Sequence, residues 1–118
     1  MIYAVIIADD LTGAMDSAVH FAVRGFSTQV LTGLSEEKDG RETENAPAAS
    51  GESWLETGAQ VVAVNANTRH LPADEAYRIV YDLAERAGKA GVLCIYKKTD
   101  SALRGNVGAE LSAMRHAL

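Results

Sequence analysis

At 118 residues the chain has the size of one domain or of part of one. Its 47% hydrophobic and 23% charged residues are ordinary for a globular protein, so a disordered or fibrous chain is excluded. A net charge of −5 excludes general nucleic-acid binding, since no basic patch exists to displace counterions from phosphates.

Met1 to Ala8 is a continuous apolar run of strand length, rich in Ile and Val, as expected for a central parallel strand covered on both faces. Asp9-Asp10-Leu11-Thr12-Gly13 reads as a turn. A helix is expected from about Ala14 to Arg24, ended by Gly25, with Ala14, Ala18 and Ala22 as a smooth face that lies close to a sheet. Thr28 to Leu31 reads as a second strand. Residues 34–53 are dominated by Glu, Lys, Asp, Gly, Ser and Ala, bury little, and are expected to form a mobile loop. Order returns at Trp54 and Leu55. Gln60 to Val64 reads as a third strand, followed by the polar Asn65-Ala66-Asn67-Thr68-Arg69. Pro72 opens a helix to about Ala87 whose apolar face is Ala76, Ile79, Val80, Leu83 and Ala84. Val92 to Tyr96 reads as a fourth, buried strand, and its Cys94 as a core thiol. That single cysteine rules out an internal disulfide framework and suits a reducing compartment. Asn106 is a good N-cap for a last helix with Val107, Leu111, Met114 and Leu118 as its core stripe. No apolar stretch nears the ~20 residues of a membrane span, and the N-terminus lacks signal-peptide features, so no membrane partner and a cytoplasmic location are expected.

Alternating strands and helices predict an α/β fold, with a parallel sheet, flanking helices and right-handed crossovers. Ligands of such sheets bind outside the carboxyl ends of the strands. The unusual polar residues fall there: Asp9-Asp10 after the first strand, Asn67-Thr68-Arg69 after the third, Lys97 to Arg104 after the fourth. Adjacent acids at a strand mouth can hold a metal, accept hydrogen bonds from hydroxyls or act as a general base. One of them, or Thr12, can instead cap the next helix. Gly13 permits close approach at a helix N-terminus, whose N–H groups suit an anion. Asp16 either favours the helix dipole or joins the site. Lys97 and Lys98 should point to opposite faces of their strand, so that one of them reaches the site. Arg104 offers a two-pronged fork for a carboxylate or phosphate, and Arg69 a second. His20 and His116 read as surface or packing residues, and His70 as a loop residue with a peripheral contact as the alternative. There is no phosphate loop and no dinucleotide fingerprint, so the chain shows no nucleotide site of its own.

The strings IADDLTGAMDSAVHFAVRG and YKKTDSALRGNVGAEL, with NTRHL between them, resemble the motifs of the four-carbon acid sugar kinase family over nearly the whole chain apart from 34–53. That resemblance implies a Rossmann-like three-layer sandwich, here the N-terminal part of the sugar-acid-binding domain. It also implies ATP and Mg2+ bound mainly outside this chain by a C-terminal ATP-binding domain of the same protein. A small anionic sugar acid of the threonate, erythronate or 3-oxo-tetronate type is the implied substrate, and a homo-oligomer stays open. Carried over by position, Asp9, Thr12, Gly13, Arg69, Lys98, Asp100, Ser101 and Arg104 become substrate-binding residues. Asp10 becomes the catalytic group nearest the reacting hydroxyl, with Asp9 and Asp100 as alternatives, and no residue is assigned to a metal. Two positions depart from the family pattern: Ala102 stands where Thr is usual, and Asn67 where Asp is common. The family's proteins continue well beyond the position of Leu118, so the 118-residue chain alone is expected not to turn over ATP.

Two other readings compete. A receiver domain shares the acidic pair after the first strand and a late lysine, but it needs an aspartate ending the third strand, where this chain has Asn65-Ala66-Asn67. A non-catalytic sugar-acid-binding module shares every residue of the site and differs only in lacking the chemistry.

Overall fold

A computed structural model of the chain describes residues 1–33 and 54–118; the stretch read from sequence as a mobile loop lies outside the described residues. The apolar N-terminal run forms β1 (Ala4–Ala8), and every one of its residues is buried. It sits inside a four-stranded parallel sheet with β2 (Thr28–Leu31), β3 (Val61–Asn65) and β4 (Cys94–Lys98), in the order β2-β3-β1-β4. Ala4 lies beside Val61 on one side and Cys94 on the other, and this register continues without slip to Ala8, Asn65 and Lys98.

Among the described residues three helices cover the two faces, giving the parallel sheet with flanking helices expected from the alternation and the three-layer sandwich implied by the resemblance. Helix α1 (Leu11–Ala22) lays Ala14 and Ala18 against Ala4, Ile6, Ala8, Val61 and Ala63. Helices α2 (Ala73–Lys89) and α3 (Val107–Ala117) pack on the opposite face against Val5, Ile7, Val62 and Val64. Small alanines on α1 allow the helix to approach the sheet closely, while Val80 and Leu83 of α2 fill a thicker layer.

The chain therefore leaves β1 by one face and β3 by the other, although the two strands are neighbours. Divergent exits of this kind open a crevice at the carboxyl ends of the strands, the usual ligand position in a doubly wound sheet.

Three expectations need correction. The fourth strand runs two residues later than read, and it is not buried: Cys94 and Tyr96 are exposed, because among the described residues β4 pairs with β1 alone. Helix α1 begins at Leu11 rather than Ala14, so the turn after β1 shrinks to Asp9-Asp10. The buried stripe of α3 is Glu110, Ala113 and Met114; Leu111 and Leu118 face outward. Glu110 can lie on the buried face because its carboxylate pairs with Lys97 there.

Candidate functional site

The site begins with two residues that end β1. Asp9 is buried, and its backbone carbonyl accepts the N–H groups of Thr68 and Arg69, at 3.1 and 3.4 Å. The loop after β3 is thereby held against the end of β1. Asp10 uses its two carboxylate oxygens differently. Oδ1 accepts the N–H of Gly13 at 2.8 Å and caps α1, while Oδ2 lies 3.2 Å from the Arg69 guanidinium. One side chain thus caps α1 and pairs with Arg69.

Arg69 is the hub. Its Nε donates to Asp9 at 3.1 Å, and its Nη2 reaches Asp10 at 3.2 Å and Asp100 at 3.1 Å. One guanidinium thus joins three carboxylates from two different loops, which only a planar, multiply donating cation can do. The hydrogen bond to Asp9, with the charges of Asp9, Asp10 and Asp100, raises the proton affinity of Arg69 further.

The loop after β4 closes the cluster. Asp100 is buried and accepts from the backbone N–H groups of Ala102 and Arg104, at 3.1 and 3.0 Å. It also receives the Arg104 fork, Nε at 2.9 Å and Nη2 at 3.0 Å. These bonds, the Arg104 side chain foremost, hold the Asp100 carboxyl well below the usual carboxylate range. Folding back in this way needs a tight turn, with Leu103 at φ 57° and Gly105 at φ 84°. A Cβ on Gly105 would lie 3.2 to 3.3 Å from Arg69 and from Asp9 Oδ2, so a glycine lets the two loops touch. Asn67, at φ 52°, makes a similar turn after β3, where its N–H is accepted by the Asn65 side chain at 2.9 Å.

The lysines separate as strand alternation requires. Lys98 lies on the α1 side, its stem against Gly13, with its ammonium donating to the Thr99 carbonyl. Lys97 turns to the other face, away from the aspartates, and reaches Glu110. Thr12, Asp16, His70 and Ser101 are all exposed. His116 is also on the surface, where its Nδ1 lies 2.8 Å from the Tyr77 hydroxyl. The arginine fork expected for a ligand is, in this arrangement, occupied by Asp100. Arg104 nevertheless keeps 66% of its side chain exposed, which leaves it open to an incoming anion.

Three residues fasten these loops in roles that were not read from sequence. Thr68 donates to Glu110 at 2.8 Å. Asn106, placed correctly at the start of α3, spends its side-chain amide on the Thr68 and Leu71 carbonyls rather than on a cap. The signal was faint: Glu110 shares a helical face with Ala113, Met114 and Ala117, which is an unusual place for a charge unless it is paired.

A family model described as a sugar-binding N-terminal domain matches residues 4–118. The chain belongs to that family. It is similar to a D-threonate kinase of Bordetella bronchiseptica, 41% identical over 115 residues, which covers 98% of this chain and 25% of the relative. A D-threonate kinase of Salmonella typhimurium is 33% identical over 114 residues, and a D-erythronate kinase of Heliobacterium modesticaldum 34% over 116. This chain spans about a quarter of the length of these curated relatives. A crystal structure from Bordetella bronchiseptica, described as a domain of unknown function with bound citrate and as a domain-swapped dimer, superposes with a TM-score of 0.77. It shares 37% sequence identity, and the match covers 98% of this chain and 26% of that one.

Proposed function

We propose that this chain supplies the sugar-acid-binding part of a kinase that moves a phosphoryl group from ATP to a hydroxyl of a four-carbon acid of the threonate or erythronate type. The observation that carries the reading is the convergence of Asp9, Asp10, Arg69, Asp100 and Arg104 at the crevice beside β1. Family membership and the kinase relatives support it.

Each side chain has a task in that reaction. Asp10 accepts the proton that the attacking hydroxyl loses as its oxygen bonds to the γ-phosphorus and the bond from that phosphorus to the bridging oxygen breaks, releasing ADP. Accessibility favours it over the other two acids: its side chain is 28% exposed, against 4% for Asp9 and 6% for Asp100. Asp9 sits behind Arg69 and orients it. Arg104 meets the ligand carboxylate by exchanging Asp100 for it, with Lys98, Thr12 and Ser101 as further polar contacts and Gly13 permitting close approach of the chain. ATP belongs to polypeptide outside this stretch, which the fourfold greater length of the relatives accommodates. Among the described residues no cluster of His, Cys, Asp and Glu suits a metal, and the three aspartates are tied to arginines. No step is therefore assigned to Mg2+ here.

No helix among the described residues is long and apolar enough to cross a membrane, and a cytoplasmic location is part of the proposal. So is a homo-oligomer, which the dimeric state described for the Bordetella bronchiseptica structure supports. ADP release by a full-length kinase that carries this stretch, incubated with ATP and D-threonate or D-erythronate, tests the activity. Release that depends on the sugar acid is expected; ATP turnover indifferent to it refutes the assignment. A binding module without chemistry would bind the acid and release no ADP.

A further inference from the structure

Beneath the arginine–aspartate cluster lies a second set of charges that takes no part in it. The Lys97 ammonium is 3.3 Å from Glu110 Oε1, and their side chains are only 4% and 2% exposed. The same carboxylate oxygen accepts the Thr68 hydroxyl at 2.8 Å, and Thr68 is fully buried. Lys97 also donates to the carbonyl of Lys98 at 2.9 Å. Three segments meet here: the end of β4, the first turn of α3, and the loop after β3.

A buried ion pair is a poor device for stability alone, since well-packed apolar residues often serve as well or better. What charges with directed hydrogen bonds add is a fixed mutual position. Thr68 immediately precedes Arg69, and both of their N–H groups point at the Asp9 carbonyl. Lys97 sits three residues before Asp100 on the strand that delivers the other half of the site. Glu110 is therefore tied both to the loop that carries Arg69 and to the strand that leads into Asp100.

We infer that Glu110 is a positioning residue. With Lys97 and Thr68 it forms a buried clamp that sets the Arg69 loop against the Asp100–Arg104 loop. Its consequence for ligand binding rests on the function proposed above; its consequence for the loops does not. The clamp explains why α3 buries Glu110 rather than Leu111.

The test reads the loops directly, by residue-resolved amide hydrogen exchange on the whole protein. Thr68→Val removes only the hydroxyl that links the loop to Glu110, and Thr68→Ser retains it. Lys97→Met with Glu110→Leu replaces the charges by apolar groups and unfastens both loops. Exchange at positions 68 and 69 should quicken about tenfold or more in Thr68→Val and in the double variant, while Ile6 and Val62 keep their wild-type rates. Thr68→Ser should behave as wild type. D-threonate affinity, measured by calorimetry on the same proteins, should fall with the exchange effect even where the melting temperature is regained. Unchanged exchange at 68 and 69 in Thr68→Val overturns the clamp, and so does acceleration shared equally with β1 and β3. If the double variant fails to fold, Thr68→Val against Thr68→Ser decides alone. Wild-type protein that binds no D-threonate yet shows the expected exchange pattern would remove the proposed ligand and leave the clamp standing.

Discussion

Asp100 carries more hydrogen bonds than any other carboxylate in the site, and its acidity follows from them. Its folded-state proton affinity is depressed, first by the Arg104 side chain and then by the Arg104 backbone N–H. A depressed carboxyl stabilises the fold at pH values above its unfolded pKa of about 3.9, and that contribution is lost as pH falls toward the folded value. Asp100→Asn should therefore lower stability most near neutral pH. The gap to wild type should narrow steadily below about pH 4 in denaturant titrations, and a gap that does not change with pH would contradict the assignment. Gly105 offers a second test. Gly105→Ala places a Cβ where φ is 84° and where Arg69 and Asp9 stand 3.2 to 3.3 Å away. The left-handed backbone alone costs about 1–2 kcal/mol, and the displaced Arg69 should weaken sugar-acid binding as well. Melting temperature and calorimetry together check both effects. The five charged residues of the cluster were legible in the sequence because each follows a strand end. That Arg104 folds back onto Asp100 was not, since it depends on Leu103 and Gly105 both adopting positive φ.

Elements whose periodicity had one solution emerged from the sequence nearly whole; those with two did not. The continuous apolar run of β1 could only be a central strand. Helix α2 was equally plain, because its buried Ala76, Val80, Leu83 and Ala84 fall on one face and charges occupy the other. Val92 to Tyr96 was ambiguous, as a short apolar run looks the same in a central strand and at an edge whose cover lies elsewhere. In α3 two faces competed, and the larger side chains pointed to the wrong one, because the carboxylate of Glu110 pairs with Lys97 on the buried face. Helix α1 allows a direct test of how tightly a layer is packed. Ala14 has no exposed surface and lies on the alanine face, whereas its neighbour Met15 is 55% exposed. Ala14→Leu should cost about 1–3 kcal/mol by overpacking. Met15→Ala should stay within about 0.5 kcal/mol of wild type. Equal effects in urea unfolding would mean that α1 does not rest on that face.

For the molecule as a whole, topology decides where chemistry can occur. Neighbouring strands β1 and β3 send their chains to opposite faces, and at their carboxyl ends Asp9-Asp10 and Arg69 meet directly. The β4 loop then brings Asp100 and Arg104 to the same edge, and the Lys97–Glu110–Thr68 set lies under the join. Sequence alone located this edge, since strand alternation fixes which loops share it; it could not show that the cations and anions would pair with one another before any ligand arrives. The central claim is that this paired cluster grips a four-carbon sugar acid. Calorimetric titration of D-threonate into the wild-type protein and into Arg69→Lys tests it most directly. Lysine keeps the charge but cannot join three carboxylates, so saturable one-site binding to wild type should weaken by about tenfold or more in the variant. Binding of equal strength to both proteins, or none to the wild type, would contradict the account.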